Sequence, residues 1–327
     1  MLSPKNHRIK SVMNPLFTII TPALNAGSTL ADALVSVRDQ AGGIPFEHLL
    51  LDGGSTDDTL EVAAEFDFVA TTSVKDRGLY DAMNKGAARA SGEWLVFVQA
   101  DDWLAPGALA AWAAGIEAHP KAQVMTGVPE RFERRAGAWV ARDNSGDPTD
   151  QKLSVRNIAL GDPMLNARII RKDAYLATGG FSLDYTYCSD REFLLQLCRQ
   201  DVYAVEIPDK VYRYRWHEGS RTMNDINEFA DVIAEENLAI AERWMNRVSK
   251  PDRRILREWH GRVSNEQAMR ALEDRNLRGV GQSMRRAMRI NPAWPTGFLA
   301  EFSRCLVGYV GRGCRTKTQV LRQAERV

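Results

Sequence analysis

The chain contains no run of about 20 mostly apolar residues, the length a bilayer-spanning helix requires. Its most apolar late stretch, residues 297–311 (GFLAEFSRCLVGYVG), is broken by Glu301 and Arg304. The opening MLSPKNHRIKSVMN has no apolar core of the kind a secretory signal carries. Cysteine is scarce: the four, at 188, 198, 305 and 314, form no C-x-x-C pair, and no histidine stands at metal-finger spacing. A disulfide framework and a structural zinc site are therefore not expected, and reduced thiols suit a reducing compartment. The formal net charge is only +1, so no global field draws the chain to nucleic acid or anionic lipid. Two phosphate loops are also missing. There is no G-x-G-x-x-G after the first apolar run and no G-x-x-x-x-G-K-[ST] anywhere, which speaks against a nicotinamide cofactor and a P-loop nucleotide. The expectation is a soluble cytoplasmic protein, with peripheral contact at the cytoplasmic face of the inner membrane as the alternative.

What is present is an ordinary globular composition over 327 residues, 44% hydrophobic and 26% charged. That length suffices for one large α/β domain and a smaller appendage. The first hundred residues alternate short apolar runs with helical periodicity. Residues 16–21 (LFTIIT) read as a buried strand ended by Pro22, and residues 28–39 as a helix through Leu30, Leu34 and Val37. Residues 48–52 (HLLLD) read as a second strand. Ser55 follows as an N-cap, with Asp58 completing a capping box for a helix over 59–66. A short strand at 68–71, a helix at 80–90 and a near-continuous apolar strand at 94–99 (WLVFVQ) come next. Such alternation implies right-handed βαβ units and a mostly parallel sheet flanked by helices. Further strands are expected at 123–128, 166–171 and 202–207, a hairpin at 131–142 turning at Ala136-Gly137, a polar loop at 143–150 and a helix at 190–199. From about residue 222 the pattern is helical. The expected division is an N-terminal tail over 1–14, an α/β domain over 15–222 and a helical extension over 223–327.

In open parallel sheets, ligands bind beyond the carboxyl ends of the strands. Those ends carry Thr21-Pro22-Ala23 with Asn25, Asp52-Gly53-Gly54-Ser55, and Gln99-Ala100-Asp101-Asp102. An edge so acidic suits a divalent cation or a base N–H donor and suits a bare phosphate poorly. Adjacent carboxylates such as Asp101 and Asp102 repel unless something neutralises them. They either hold a cation or cap the helix beginning near Pro106. A diphosphate at this edge needs a metal for charge shielding, and hard oxygen ligands favour Mg2+ or Mn2+ over Zn2+.

Four segments in this order and spacing carry a resemblance: FTIITPALNAGSTLADALVSV, LLLDGGSTDDTLEVA, KDRGLYDAMNKGAARASGEWLVFVQADDWL and GGFSLDYTYCSDREFLLQL. Together they resemble the family 2 glycosyltransferases, which have the GT-A fold, and most of all bacterial enzymes of polysaccharide assembly. The resemblance spans roughly two-thirds of the chain, from about residue 17 to 220. It implies an inverting, metal-dependent transfer of a sugar from a nucleotide-diphosphate donor, a UDP-sugar, to the hydroxyl of a glycan or lipid-linked acceptor. Residue by residue, it implies that Asp52 accepts a hydrogen bond from the donor's base, that Thr21 and Ala23 form the ledge beside it, and that Asp76 helps hold the nucleoside. Asp101 matches the last acid of the D-x-D motif, a ligand of metal and diphosphate. Gln99 stands at the first position of that motif and supplies no charge, so either metal affinity is modest or Asp102 shares the metal. Asp190 matches the catalytic base.

Helix periodicity supports Asp190 over its neighbour. At about 100° per residue, Asp190 shares a face with Phe193, Leu194 and Leu197, while Glu192 points away with Gln196 and Arg199. An acid on the apolar face of a first turn is desolvated toward a useful pKa. The competing reading is an aspartate placed there by the helix dipole alone. After Tyr212 comes RYRWHEGSRT, where Arg213, Arg215 or Arg221 is expected to meet diphosphate, and His217 is either a metal ligand or a surface histidine. Tyr80 and Met83 either pack in the core or, with Asp81 and Asn84, face the pocket; for Asp81 this rests on the resemblance alone. Residues 294–309, with Arg312 and Arg315, either belong to solvated helices or rest on a membrane face. Two other functions compete: a sugar nucleotidyltransferase, which wants a basic Gly-rich loop that residues 21–28 lack, and a catalytically silent nucleotide-sugar-binding protein, motivated by Gln99.

Overall fold

The computed structural model describes residues 15–40, 43–142, 151–217 and 229–292. The polar loop at 143–150, Arg221, the stretch 294–309, Arg312 and Arg315 lie outside the described residues, as do Cys305 and Cys314. Contacts divide the chain into one unit of Met1–Asn157 with Asp162–His217, and another of Ile158–Gly161 with Glu218–Val327.

The first unit is built on a nine-stranded sheet in the order β3-β2-β1-β4-β8-β6-β9-β5, with β7 paired to β6. The strands are β1 (Phe17–Ala23), β2 (Phe46–Asp52), β3 (Val69–Ser73), β4 (Trp94–Phe97), β5 (Trp103–Leu104), β6 (Val124–Arg135), β7 (Ala138–Ala141), β8 (Arg168–Arg171) and β9 (Ala204–Trp216). Strands β1 to β4 are all parallel, and β4 then meets β8 antiparallel. Every residue of β1 and β4 is buried, as expected for central strands covered on both faces. The helices are α1 (Gly27–Arg38), α2 (Thr59–Ala64), α3 (Leu79–Arg89), α4 (Ala108–Ala118), α5 (Val155–Leu160), α6 (Lys172–Thr178) and α7 (Ser189–Arg199).

Strand alternation sorts the core into two layers. Phe17, Ile19, Trp94 and Val96 join Val37 of α1 and Trp112 of α4 on one face, where Leu30, Leu34 and Leu50 form a second patch. On the other face Ile20 and Leu51 back onto Gly86 of α3. There Phe97 stacks on Tyr175 of α6 and on Phe181, which in turn meets Phe193 of α7.

Pro22 does not end β1, because the strand runs on to Ala23. The direction of its missing N–H explains this. Ile20 turns its carbonyl toward β4, accepting from Val98 N, whereas Ala23 turns toward β2, accepting from Gly53 N. By the two-residue period Pro22 faces the β4 side, where the last pairing is Ile20 with Phe97, so no ladder bond is forfeited. The expected capping box also differs. The N-cap of α2 is Asp58 without a side-chain bond, and Ser55 instead donates to Asp52. Strand β9 extends through Pro208 well past residue 207, and the short β5 pairs with its far end.

The second unit contains α8 (Ala230–Trp244), α9 (Lys250–Glu273) and α10 (Leu277–Ile290). Ser249 caps α9 by accepting from Asp252 N, and Asn276 caps α10 by accepting from Gly279 N. Arg286 of α10 bonds Glu242 and Glu235 of α8, and His260 of α9 shares Glu242. No described helix is long and apolar enough to cross a membrane.

Gly92 sets the spacing of β4 against β1. A Cβ there would lie 2.6 Å from Thr18 N and 2.7 Å from the Phe17 carbonyl carbon. Because backbone cannot swing aside as a side chain can, Gly92→Ala is expected to lower unfolding free energy by about 1–3 kcal/mol, measured by urea denaturation. An unchanged midpoint would show that β4 is free to shift.

Candidate active site

Three loops meet at the carboxyl ends of β1, β2 and β4, where strand order reverses between β1 and β4. The first two are laced together. Asn25, in the left-handed region at φ 50, donates its N–H to Ser55 Oγ at 2.8 Å and accepts from Thr56 N at 2.9 Å. Helix α1 lacks a cap of its own, and the neighbouring loop supplies one: Asp57 Oδ2 accepts from Gly27 N at 3.0 Å, and Thr59 Oγ1 accepts from Ala26 N at 2.8 Å.

Asp52 lies inside this lacing, 1% exposed. It accepts from Gly54 N (3.1 Å), Ser55 N (3.2 Å), Ser55 Oγ (2.5 Å) and Ser73 Oγ (2.5 Å). Burial pushes its carboxyl up, but the bonds from Ser55, Ser73 and Gly54 outweigh that and hold it below the usual range. A carboxylate has about four lone-pair sites, and all are taken. Asp52 thereby shapes the Gly53–Ser55 turn, the place from which it is expected to meet the donor's base. Asp76 lies over that turn, its carboxyl 2.8–3.3 Å from where a Gly53 Cβ would be, and it accepts from Gly78 N. A cavity of about 90 Å³ here is lined by Asp52, Thr72, Asp76 and Lys85 among others. Thr21 is buried with its hydroxyl on His48 Nε2 at 2.8 Å. His48 is pushed down to about 3 by burial and stays neutral. Thr21 and Ala23 therefore offer backbone, not side chain, to a ligand.

The third loop separates two adjacent acids. Asp102 is fully buried. Its Oδ2 accepts from Tyr212 OH at 2.6 Å and its Oδ1 from Arg215 N at 2.8 Å. Burial first, and the Asp101 charge second, push its carboxyl well above the ordinary range, against the pull of Tyr212 and Arg215. Both oxygens of Asp102 are thus engaged inward. Asp101 keeps 32% of its side chain exposed, and its Oδ2 lies 3.3 Å from His217 Nε2.

Arg215 is engaged within the fold. It is 2% exposed. Its Nε donates to the Asp101 carbonyl, and its two terminal nitrogens donate to Asp32 Oδ2 and the Thr29 carbonyl, each at 3.0 Å. The guanidinium also stands 4.7 Å from the Trp103 ring centre. Three of its five donors are thus engaged within the fold, and it serves as a strut between these segments. Arg213 is likewise engaged, with Glu130 at 3.0 Å.

Asp190 opens α7 and is partly buried. Burial raises its carboxyl above the usual range, opposed by Arg191 and by a hydrogen bond from Tyr80. The Tyr80 hydroxyl also reaches the Tyr187 carbonyl at 2.8 Å. Asn84 anchors the approach to α7: its Oδ1 accepts from Phe181 N and its Nδ2 donates to Phe181 O, both at 2.9 Å. Gly180, at φ +79, leaves room for that clasp, since a Cβ would lie 2.5 Å from Asn84 Oδ1. Through Phe97, Phe181 and Phe193, the first turn of α7 hangs off the same end of β4 that leads to Asp101. Glu192, expected to point away from Asp190 with Gln196 and Arg199, is nonetheless buried, 1% exposed, and accepts from Gln196 at 2.6 Å. The helix buries Ser189, Glu192, Phe193, Leu194, Leu195 and Leu197, more than one stripe. Asp81 is bound to Arg77 N and Lys85 at 3.0 Å each, and Met83 is core.

Sequence reasoning did not single out Asn166 or Arg168. Asn166 donates to Tyr212 OH at 2.8 Å. Arg168 is fully buried on the carbonyls of Met164 and Gln151. Burial pulls it down to about 10, while Cys198, Asp190 and Glu206 hold it up. An arginine opening an apolar strand (RIIR) is the only signal either gives.

Fold and site together define the GT-A class: a largely parallel sheet with an acidic loop at its switch point. The pattern of the glycosyl transferase family 2 matches residues 18–178. A PGL/p-HBAD biosynthesis glycosyltransferase of Mycobacterium bovis (strain BCG / Pasteur 1173P2) is 34% identical over 188 residues, 55% of this chain and 68% of that one. Among solved structures, the Pyrobaculum calidifontis mannosyltransferase PcManGT with GDP-Man and Mn2+ superposes with TM-score 0.57 at 17% identity, covering 91% of this chain and 82% of that one. S. aureus TarS 1-349 with UDP-GlcNAc gives 0.56 at 16%, covering 86% and 92%. Of the longer TarS chain this protein spans 43%, with TM-score 0.56 at 18% identity. The chain belongs to glycosyltransferase family 2.

The two neighbouring acids are expected to fail differently. Asp102→Ala leaves the Tyr212 O–H and the Arg215 N–H without their acceptor and should cost about 2–4 kcal/mol of stability. Asp101→Ala should stay within about 0.5 kcal/mol of wild type. Chemical denaturation of both variants checks this, and equal losses would refute the division.

Proposed function

We propose that the protein is an inverting, divalent-metal-dependent glycosyltransferase that moves a sugar from a UDP-sugar to the hydroxyl of a glycan or lipid-linked acceptor. One observation carries this reading: two carboxylates stand in contrasting settings, Asp101 open in the loop after β4, and Asp190 raised by burial and close enough to hold up Arg168 at the start of β8, the antiparallel neighbour of β4. The nucleoside rests on the Thr21–Ala23 ledge and the Gly53–Ser55 turn, with Asp76 at its edge. The diphosphate lies toward Asp101.

Asp101 and His217 fit a Mg2+ or Mn2+ ion. A hard carboxylate oxygen and an imidazole nitrogen 3.3 Å apart leave most coordination positions for diphosphate oxygens and water. That suits ions which share few protein ligands with a phosphate substrate. Among the described residues no group of three or more His, Cys, Asp or Glu side chains is arranged as a closed metal cage. When bound, the ion supplies positive charge to the departing diphosphate.

Asp190 takes the proton of the acceptor hydroxyl as its oxygen bonds to the anomeric carbon. The bond from that carbon to the β-phosphate oxygen breaks, and its electron pair leaves with the nucleoside diphosphate. Attack from the face opposite the leaving group inverts the anomeric centre. Tyr80 orients the base, and Arg168 sets a buried positive charge near it.

Asp190→Asn is expected to lower kcat by on the order of 10²–10⁴. Its effect on stability should have the opposite sign. A carboxyl raised in the folded state binds its proton more tightly there than in the unfolded chain, so its contribution is present at low pH and lost as pH rises through the raised value. At neutral pH the variant should therefore melt no lower than wild type. The base must be ionised, so kcat/KM should fall on the acid side with a midpoint above about 4, the ordinary aspartate value. Tyr80→Phe, which removes a bond favouring the ionised form, should move that midpoint higher. An acid limb unmoved by Tyr80→Phe, or full activity in Asp190→Asn, would refute the assignment.

Donor choice is read by thermal shift with UDP-, dTDP- and GDP-sugars, each with and without Mn2+. UDP-sugars should raise Tm most, and more with Mn2+ than without it; a larger shift with GDP-sugars would overturn the uridine assignment. Asp101→Ala should abolish the Mn2+ increment.

A further inference from the structure

Helix α10 (LRGVGQSMRRAMRI) contains four arginines and no acidic residue. Arg286 is committed to Glu235 and Glu242. Arg278, Arg285 and Arg289 are exposed and make no ion pair among the described residues. At about 100° per residue these three fall within roughly 40° of one another, on the side opposite Ala287. Ala287 is the buried residue of α10 and packs with Ala268 of α9. The three side chains thus form a stripe roughly 16 Å long, turned away from the helix's own support. Glu273 and Asp274 precede it, at the N-terminal end.

The flank of the stripe is apolar. Leu277 is 74% exposed and Met288 37% exposed, and the same geometry places them together, one step around the helix from the arginines. The chain as a whole is nearly neutral at +1, so the stripe is a local concentration of charge. We infer that this face of α10 rests on an anionic lipid bilayer, with Arg278, Arg285 and Arg289 at the headgroups and Leu277 and Met288 entering the acyl boundary. Charge complementarity selects an anionic surface. The exposed leucine and methionine select lipid over nucleic acid, whose phosphate backbone has no use for them. Arginine stems lie along apolar surface while their heads stay with phosphate. The inference deepens the proposed lipid-linked acceptor, resting on that reading for its purpose; the surface itself is testable without any transfer reaction.

The test is sedimentation of the full chain with vesicles of phosphatidylcholine alone or with about one-third phosphatidylglycerol. Binding should require the anionic lipid and weaken as salt rises. At about five-fold per arginine, Arg278→Gln/Arg285→Gln/Arg289→Gln should lower partitioning roughly a hundred-fold. A control removing equal charge from other exposed positions, Arg199→Gln/Arg254→Gln/Arg257→Gln, should bind as wild type does. Leu277→Ser should weaken binding with no change in salt dependence. Wild type that ignores the anionic lipid overturns the inference, and so does equal loss in the control. Salt-sensitive binding of duplex DNA or RNA through the same arginines, without vesicle binding, overturns it in favour of nucleic acid. The thermal shift with UDP-sugar, measured on the same variants, should be unchanged, so failure of the lipid face and failure of the transferase reading are told apart.

Discussion

The acidic edge depends on one buried carboxylate. Asp102 joins the loop after β4 to β9 by accepting from Tyr212 OH and Arg215 N. With β9 fixed at that register, the Arg215 guanidinium reaches the Asp101 carbonyl, the Thr29 carbonyl and Asp32. The loop after β4, strand β9 and the first turns of α1 are thereby held as one frame. Buried polar networks of this kind contribute little net stability when complete and cost heavily when one member is removed. Their return is a defined geometry. Here that geometry leaves Asp101, of the two adjacent acids, facing outward beside His217. Two neighbouring carboxylates cannot both stay ionised cheaply, and the raised carboxyl of Asp102 is how the pair is resolved.

The same economy governs Asp52. Its four acceptor sites are filled by the turn that follows it and by Ser73 of β3. That turn in turn binds Asn25 of the first loop. A ligand at this edge meets backbone and small hydroxyl side chains whose positions the buried acid has fixed. Two aspartates conspicuous in the sequence thus act as organisers, while the groups open to a ligand, Asp101 and Asp76, are ones they position.

This division explains what was legible in the sequence. Strand–helix alternation and the acidic strand ends fall within short windows, so the parallel half of the sheet and the loops at its edge could be read directly. Pro22 looked like a terminator because the periodicity says nothing about which neighbouring strand has already ended. The burial of Arg215 was not legible because its partners, Thr29, Asp32 and Asp101, lie more than a hundred residues away; nothing in RYRWHEG marks one arginine for burial. The buried Glu192 exposes the limit of a helical wheel. The wheel gives relative directions on α7 but not how many sides of the helix the fold will cover. Beyond the RIIR pattern that places Arg168 at the head of an apolar strand, Asn166 and Arg168 carried no local signal, because their partners Tyr212 and Asp190 are distant in sequence.

Asp190 shows how opposing local effects are settled by packing. The start of a helix favours an ionised carboxylate through the dipole, and Arg191 and Tyr80 pull the same way. Burial at the end of the Phe97, Phe181 and Phe193 tier prevails, and the carboxyl is raised. Tyr80 keeps that raised group usable. Its hydroxyl has one proton and two acceptors within reach, the Tyr187 carbonyl and the Asp190 carboxylate. With Asp190 ionised the proton is best placed on the carboxylate. With Asp190 protonated it returns to the carbonyl, and the acid donates to the phenolic oxygen. Neither state leaves a buried polar group unpaired, so the site can pass between them without disturbing the clasp of Asn84 on Phe181 that holds the helix in place.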